Sequence, residues 1–331
     1  MGKIIISDAL AALKTLPDES VNMCVTSPPY YGLRDYGVAG QIGLEPTPEE
    51  YIDRLVAVFR EVRRTLLSDG TLWIVIADSY AGSGKGAAAY PDNAAKYKQG
   101  TNKGMVGAKA TNGVKTPGIK PKDMIGIPWM LAFALRKDGW YLRSDIIWHK
   151  PNVMPESVKD RPTKSYEHIF LLAKSRKYYY DNDAVLVPAR YDGRNETINK
   201  GSSKYEGVVV PGNNPQSQHV AGKPHERWRF KDGKPVKNRR DVWTVNTKPF
   251  KGSHFATFPP ELIRPCIRAG CPKGGVVLDP FIGSGTTALV AIQEARDYVG
   301  IELQPKYEFL IKERVSEAKS SLNVWSEENV I

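Results

Sequence analysis

The sequence contains few of the residues that form disulfides or bind metals. Of its 331 residues, only three are cysteine (Cys24, Cys266 and Cys271) and five are histidine. One cysteine is left over in any disulfide scheme, and no CxxC or HxxxH spacing of a metal site occurs. We therefore expect neither a disulfide nor a bound metal.

Long apolar runs are also missing. Predominantly apolar stretches such as residues 21–25 and 276–278 are short, whereas a membrane-spanning helix needs about 20 apolar residues. The opening MGKIIISDAL has one lysine and a three-residue apolar run before an aspartate, unlike a secretory signal or a transit peptide. These absences predict a cytoplasmic protein with no membrane partner.

Positive charge is what the sequence has in excess. Lysine and arginine outnumber aspartate and glutamate by 47 to 36, which gives a formal net charge of +11. This charge favours a polyanionic partner, because basic side chains release the counterions condensed on phosphates. A basic protein without a nucleic-acid role would have the same charge.

The polar segment 187–250 is rich in these basic residues, and Trp228, Phe230 and Trp243 are interleaved with them. Aromatic side chains can stack on bases, so the mixture favours a DNA-reading lobe over a solvated insertion. The candidate DNA-binding residues are Lys223, Arg227, Arg229, Lys237, Arg239 and Arg240.

Apolar patterns along the chain alternate between strands and helices, which predicts an α/β fold. Seven strands are expected, at residues 3–6, 21–25, 71–77, 141–148, 168–173, 275–278 and 298–302. Helices are expected at residues 9–16, 47 to about 68, 128–136, 260–269, 286–295 and 305–318. The segment 81–121 has glycine, lysine and small residues without apolar periodicity, so we expect a mobile loop outside the core.

A glycine-rich loop follows the strand at 275–278. Asp279 stands at the end of the strand, Gly283 and Gly285 lie in the loop, and a helix is expected to begin at Thr286. Glycines let the backbone approach a ligand, and a helix N-terminus binds a carboxylate. Asp279 can pair with an ammonium, so the loop suits the two charges of an amino-acid moiety.

The same spacing fits the G-x-G-x-x-A pattern of dinucleotide-binding proteins, with Glu302 as the acid that binds a ribose. In that pattern the first glycine directly follows the strand, whereas residues 279–282 intervene here. The dinucleotide interpretation therefore ranks second, and the absence of a GK[ST] sequence excludes a Walker loop.

A second loop, Thr26-Ser27-Pro28-Pro29-Tyr30, follows the strand at 21–25. Its prolines lack amide hydrogens, so carbonyls and the Ser27 hydroxyl are left as acceptors. Acceptors at Ser27 and at the Pro28 carbonyl can bind both hydrogens of a base amino group, and Tyr30 can stack on a flipped base. An ordinary turn or a polyproline ligand is the alternative for this loop considered alone.

Together, DPFIGSGTT and TSPPY resemble the cofactor and catalytic signatures of the DNA amino-methyltransferases, and their order matches the beta class of that family. The resemblance implies S-adenosylmethionine as cofactor, S-adenosylhomocysteine as product and double-stranded DNA as substrate. It also implies a Rossmann-like, circularly permuted sheet of seven mostly parallel strands with a reversed last strand, helices on both faces and a small target-recognition lobe.

The resemblance assigns roles to individual residues. Asp8 is similar to the acid that meets the adenine amino group, Glu302 to the ribose-binding acid, and residues 254–261 to the segment that closes over the cofactor, with FP at 258–259 where KP is more frequent. The catalytic residues are Ser27, Pro28, Pro29 and Tyr30. The cofactor-binding residues are Asp8, Thr26, Phe258, Pro259, Asp279, Pro280, Phe281, Gly283, Ser284, Gly285, Thr286, Thr287 and Glu302.

The resulting organisation has four parts. Residues 1–186 form the catalytic half with its loop at 81–121, 187–250 the target-recognition region, 251–318 the cofactor-binding half and 319–331 a tail. A homodimer and a cognate restriction endonuclease stay open as partners, because no residue decides either.

The target base also stays open. Methylation at cytosine C5 needs a cysteine nucleophile, but Cys24 lies in an apolar strand and Cys266 on a helix far from the catalytic loop. Serine at position 27 is found more often in N4-cytosine enzymes than in N6-adenine enzymes, which favours cytosine slightly. A catalytically silent DNA-binding protein and an NAD-dependent oxidoreductase are more distant alternatives.

Overall fold

A computed structural model describes residues 2–33, 35, 37–82, 116–189, 229–248 and 258–328, with side chains up to residue 320. The chain forms two compact units, Met1–Ala184 with Arg240–Ile331, and Val185–Arg239. None of the described helices is long and apolar enough to cross a membrane.

The helices and strands alternate through most of the chain. The strands are β1 (Lys3–Ile6), β2 (Val21–Thr26), β3 (Leu66–Ile76), β4 (Tyr141–His149), β5 (Tyr166–Ala173), β6 (Val187–Pro188), β7 (Arg229–Lys231), β8 (Lys234–Lys237), β9 (Val242–Thr244), β10 (Val276–Asp279) and β11 (Asp297–Glu302). The helices are α1 (Ala9–Lys14), α2 (Pro48–Thr65), α3 (Ile127–Lys137), α4 (Pro260–Gly270), α5 (Thr286–Gln293) and α6 (Glu308–Glu328).

An eight-stranded sheet in the order β1-β11-β10-β2-β3-β5-β4-β9 forms the centre of the larger unit. The first five of these strands run parallel, β5 is antiparallel to both β3 and β4, and β9 is parallel to β4. The expected α/β fold with a mostly parallel sheet is confirmed. The reversed strand is β5, inside the sheet, and not the last strand of the chain.

The eighth strand, β9, was not expected. It spans only three residues within the segment 187–250 that we assigned to target recognition, and three residues are too few to show a period of two. Trp243 of β9 is buried and its indole nitrogen donates to the Arg240 carbonyl at 2.7 Å. Trp243 therefore packs in the sheet. We had expected it to be one of the aromatic side chains that face DNA, and its burial contradicts that expectation.

Strand β3 begins earlier than expected because Gly70 lies inside it. A Cβ added at Gly70 would lie 3.0 Å from the Asn22 carbonyl oxygen of β2, so glycine permits the close approach of the two strands. We expected the helix to end near residue 68 and the strand to begin at residue 71, whereas helix α2 ends at Thr65 and β3 starts at Leu66. Residues 70–76 are all buried, as expected for a strand covered on both faces.

Helix α2 begins where its capping residues predict. The Thr47 hydroxyl accepts a hydrogen bond from the Glu50 amide at 3.2 Å, and Pro48 occupies the first turn. Tyr51, Leu55 and Phe59 recur at helical spacing and are fully buried, so this face covers the sheet.

The ends of the loop expected at 81–121 belong to the core, contrary to our expectation. Ala81 is buried, and its amide donates to the Asp123 carbonyl at 2.9 Å while its carbonyl accepts from Lys122 at 2.8 Å. Ile119 packs against the buried cluster. Residues 83–115 lie outside the described residues.

The C-terminal helix also differs from the expectation of one helix over 305–318. A 3₁₀ turn at Pro305–Tyr307 precedes α6, which continues to Glu328 through most of the segment assigned as a tail. The smaller unit contains a three-stranded antiparallel sheet in the order β6-β8-β7.

Candidate cofactor and catalytic site

The predicted site residues lie at one edge of the sheet. Strands β1, β11, β10 and β2 are parallel neighbours, so the residues that follow them meet at their carboxyl ends, where α/β proteins bind ligands. A cleft of about 1120 Å³, including its open mouth, lies there.

Both predicted loops line this cleft. The predicted residues on its wall are Asp8, Ser27, Pro28, Pro29, Tyr30, Phe258, Pro280, Phe281, Gly283, Ser284, Thr286 and Glu302. The other predicted cofactor residues, Thr26, Pro259, Asp279, Gly285 and Thr287, do not line it. The first group can touch a ligand, whereas the residues of the second group are buried.

Asp279 holds the two loops together from behind the cleft. Its side chain is 1% exposed, and Oδ1 accepts from the Thr26 hydroxyl at 2.6 Å and the Phe281 amide at 3.0 Å. Its Oδ2 accepts from the Thr287 hydroxyl at 2.6 Å. Burial raises the pKa of Asp279 to about 6, although these three hydrogen bonds act to lower it. Asp279 thus braces the two loops, and the cofactor contact that the resemblance implied stays a prediction.

The glycine loop has a conformation that side chains would disturb. Gly283 and Gly285 have φ angles of +55° and +85°, in the left-handed region that favours glycine. No side chain caps the N-terminus of α5, and Thr286, its first residue, lines the cleft. The first amides of such a helix can bind a carboxylate.

Glu302 shapes the glycine loop and also lines the cleft. Its Oε2 accepts from the Gly283 amide at 3.0 Å, and its Oε1 accepts from the Gln304 amide at 2.8 Å. Burial raises the pKa of Glu302 to about 7. A carboxylate oxygen has more than one acceptor position, so Glu302 can also accept hydrogen bonds from a ribose.

The backbone of the catalytic loop is fixed by α2. The hydroxyl of Tyr51, a fully buried residue, donates to the Pro29 carbonyl at 2.8 Å. Ser27, Pro28 and Pro29 all lie on the cleft wall. The bond from Tyr51 therefore holds the loop next to the two acceptors that we predicted for a base amino group.

A buried ion pair behind the catalytic loop was missed by the sequence analysis. The Tyr30 hydroxyl donates to Glu167 Oε2 at 2.7 Å, and Lys150 forms an ion pair with Glu167 Oε1. Burial and Glu167 raise the pKa of Tyr30, while a hydrogen bond from the Ser27 side chain acts to lower it. The Tyr30 hydroxyl hydrogen therefore points to Glu167, which leaves the Tyr30 oxygen as an acceptor.

Residues between the catalytic loop and α2 form a further wall that sequence patterns did not indicate. Leu33, Val38, Gly40, Gln41 and Ile42 line the cleft. Arg54 of α2 fixes this segment.

The Arg54 guanidinium donates to the Gly40 carbonyl at 2.8 Å, the Gln41 carbonyl at 3.1 Å and Glu45 Oε1 at 2.8 Å. No short motif encodes this contact, because Arg54 lies on the helix and its acceptors lie in the loop before it.

The predicted DNA-binding residues are only partly described. Arg229 and Arg240 are exposed, and Lys237 and Arg239 are half-buried. Arg229 donates to the Asn238 side chain at 3.3 Å. Lys223 and Arg227 lie outside the described residues. Arg240 belongs to the larger unit and the other three to the smaller one, so their DNA contacts stay a prediction.

Comparisons with known proteins place the chain among DNA methylases. The family model N6_N4_Mtase, described as DNA methylase, matches residues 21–313. The chain is 49% identical over 300 residues to the Type II methyltransferase M.Cfr9I of Citrobacter freundii. The aligned region covers 91% of this chain and 83% of that protein.

Two solved structures have a similar fold. PvuII DNA methyltransferase (cytosine-N4-specific) has a TM-score of 0.60 at 17% identity, over 97% of this chain and 91% of that chain. The M1.HpyAVI–SAM complex has a TM-score of 0.51 at 15% identity, over 95% of this chain and 100% of that chain.

The bracing role of Asp279 predicts different effects for two substitutions. Asp279→Ala removes three buried hydrogen bonds, so we expect a lower melting temperature and at least about tenfold weaker binding of S-adenosylhomocysteine. Asp279→Asn keeps the Oδ1 acceptor and can donate to Thr287, so we expect it to bind within about threefold of the wild type. Calorimetry and thermal unfolding measure both. If Asp279 instead paired with the cofactor ammonium, Asn would weaken binding as much as Ala.

The contact between Tyr30 and the Lys150–Glu167 ion pair predicts that Glu167 positions the Tyr30 hydroxyl. We expect Glu167→Gln and Tyr30→Phe each to lower kcat by about 10- to 100-fold with little change in KM, because binding contacts stay in place. The double variant should be no slower than the slower single variant, since both changes break one chain of hydrogen bonds. Steady-state methylation kinetics test this, and additive losses would contradict it.

Proposed function

The chain belongs to the DNA methylase family whose model matches residues 21–313, and on this premise we propose its reaction. It methylates the exocyclic amino group of a flipped base at a specific sequence in double-stranded DNA, with N4 of cytosine as the target. S-adenosylmethionine is the methyl donor. By similarity to relatives named Type II methyltransferases, we assign it to a restriction–modification system.

One observation carries the proposal: the loop that suits an amino-acid moiety and the loop that suits an amino group line the same cleft. The residues present fit the cofactor at three points. Glu302 offers a carboxylate to a ribose, the N-terminus of α5 offers amides to a carboxylate, and Phe281 offers an apolar wall. Asp8 lines the cleft while its Oδ1 caps α1 by accepting from the Ala11 amide at 2.9 Å.

The catalytic loop addresses the weak nucleophilicity of a base amino group. Its nitrogen lone pair is delocalised into the ring, so the nitrogen is planar and unreactive. Ser27 and the Pro28 carbonyl accept its two hydrogens, which favours a pyramidal nitrogen with a directed lone pair. Bound S-adenosylmethionine supplies an electrophilic methyl group to this nitrogen.

The proton balance needs no strong base. The new nitrogen–carbon bond forms as the sulfur–carbon bond breaks, and the methylated nitrogen becomes acidic. Its surplus proton passes to water. Ser27 and Pro28 therefore act mainly by stabilising the transition state, which is the role of preorganised hydrogen-bonding groups.

Two observations support cytosine as the target. Ser27 stands where N4-cytosine enzymes more often carry serine, and the similar PvuII enzyme is named cytosine-N4-specific. The chemistry itself is shared with N6-adenine enzymes, because both amino groups need the same two acceptors. The test below distinguishes the two bases.

The proposed activity is tested by single-molecule sequencing of DNA from a methylation-free host that expresses the chain. We expect N4-methylcytosine in a fixed motif, and none when Ser27→Ala is expressed instead. N6-methyladenine in the motif would overturn the base assignment. Absence of any modified base, with cofactor binding intact, would indicate a DNA-binding protein without activity.

The purified Ser27→Ala variant separates catalysis from binding. We expect turnover to fall by about 10²- to 10³-fold, the usual effect of removing one transition-state hydrogen bond. The Kd for S-adenosylhomocysteine should stay nearly unchanged, because Ser27 acts on the base. Equal losses in turnover and affinity would contradict the assigned role.

The raised pKa of Glu302 predicts weaker cofactor binding in acid. Ribose hydroxyls donate to the ionised carboxylate, so binding requires loss of the proton, and with a pKa of about 7 affinity falls as the pH drops below 7. We expect about tenfold weaker binding of 5′-methylthioadenosine at pH 6 than at pH 8. This ligand lacks the titrating amino-acid moiety.

Glu302→Gln is the matched control for this pH dependence. The variant has no titrating side chain at position 302. It still contains Asp279, whose pKa is about 6 and which does not line the cleft. Binding by Glu302→Gln should be independent of pH over this range. The same pH dependence in the variant would assign the titration to another group.

A further inference from the structure

An arginine outside both motifs contacts the glycine loop from α6. Arg314 Nη1 donates to the Ser284 hydroxyl at 2.9 Å, the Thr286 hydroxyl at 2.7 Å and, more weakly, the Ser284 carbonyl at 3.4 Å. Ser284 and Thr286 line the cleft. Arg314 does not, so it acts on the cleft through these two residues.

Gly285 explains how α6 comes close enough. A Cβ at Gly285 would lie 3.2 Å from the Ile311 side chain and 3.3 Å from the Ile311 Cα. Ile311 and Arg314 are three residues apart and share a face of α6. Glycine at 285 therefore brings this face against the loop and places the guanidinium between the two hydroxyls.

The guanidinium fixes the direction of both hydroxyls. A hydroxyl has one hydrogen to donate, and a guanidinium can only donate. The Ser284 and Thr286 oxygens accept from Arg314, so their own hydrogens must point to another acceptor. Within the described part of the chain, neither hydroxyl donates to a protein group.

Both residues line the cleft at the N-terminus of α5, so we take the cleft as the direction of these hydrogens. Thr286 is the first residue of that helix, whose N-terminus has no side-chain cap. Hydroxyl hydrogens and helix amides are then available to a ligand anion at this edge of the cleft. The cofactor carries one such anion, the carboxylate of its methionine part.

We propose that Arg314 is a positioning residue for the cofactor carboxylate, because it turns the Ser284 and Thr286 hydroxyls into donors toward that group. The proposal rests on the proposed function, since that function brings S-adenosylmethionine to this cleft. Arg314 also supplies a positive charge one hydrogen bond away from the anion.

The test compares two ligands that differ only in the carboxylate. Calorimetry without DNA measures Kd for S-adenosylmethionine and for decarboxylated S-adenosylmethionine, which keeps the nucleoside, sulfonium and amine. In Arg314→Gln we expect at least about tenfold weaker binding of the first ligand and less than about twofold change for the second. Arg314→Lys should recover part of the loss, because an ammonium also only donates.

A merely structural role of Arg314 predicts another result. If Arg314 only attaches α6 to the loop, Arg314→Gln should weaken both ligands by the same factor, and that result overturns the proposal. Unchanged binding of both ligands also overturns it. If the wild type binds neither ligand, the proposed function itself fails.

Two further variants keep the test decisive if Arg314→Gln does not fold. Ser284→Ala and Thr286→Val each remove one hydroxyl and leave Arg314 in place. Each should weaken binding of S-adenosylmethionine and leave binding of the decarboxylated ligand unchanged. Equal effects on the two ligands would show that these hydroxyls do not contact the carboxylate.

Discussion

The hydrogen bond from Thr26 to Asp279 connects the two halves of the site. These residues are the last of two adjacent parallel strands, β2 and β10, and lie 253 positions apart in the chain. Because the strands are neighbours, the loops that follow them begin side by side. The 2.6 Å bond at their ends keeps the proposed amino-group acceptors beside the proposed cofactor loop. Methyl transfer between bound groups depends on such alignment.

Buried carboxylates maintain this geometry at a cost in free energy. Asp279 and Glu302 are almost fully buried, and burial raises both pKa values. Each accepts hydrogen bonds from backbone amides of the glycine loop, which partly offset the desolvation. A loop that contains two glycines can adopt many other backbone conformations. The two carboxylates fix one conformation by accepting from the Phe281 and Gly283 amides.

The features that depend on residues close together in the chain could be predicted from the sequence. Strand ends, the Thr47 cap and both loops are encoded by neighbouring residues, so the sheet edge and most of the cleft wall could be predicted. Glu167, Arg54 and Arg314 could not, because each acts on a loop from a different element and belongs to no motif. The burial of Asp279 behind the cleft could not be predicted either. A carboxylate at a strand end can face a ligand or a neighbouring strand, and the sequence does not distinguish the two.

The side chains that sequence reasoning missed decide how hydroxyls are used. Beside Ser27, the hydroxyl of Tyr30 donates to Glu167, a group that only accepts when ionised, so the Tyr30 oxygen is left as an acceptor. In the proposed mechanism, the Ser27 hydroxyl donates to this oxygen and its own oxygen accepts from the base amino group. Behind Ser284 and Thr286 stands Arg314, which only donates, so these hydroxyls present hydrogens instead. We therefore expect the hydroxyl group to act as an acceptor in the catalytic loop and as a donor in the glycine loop. The difference follows from the charged residue near each loop, because a carboxylate accepts hydrogen bonds and a guanidinium donates them.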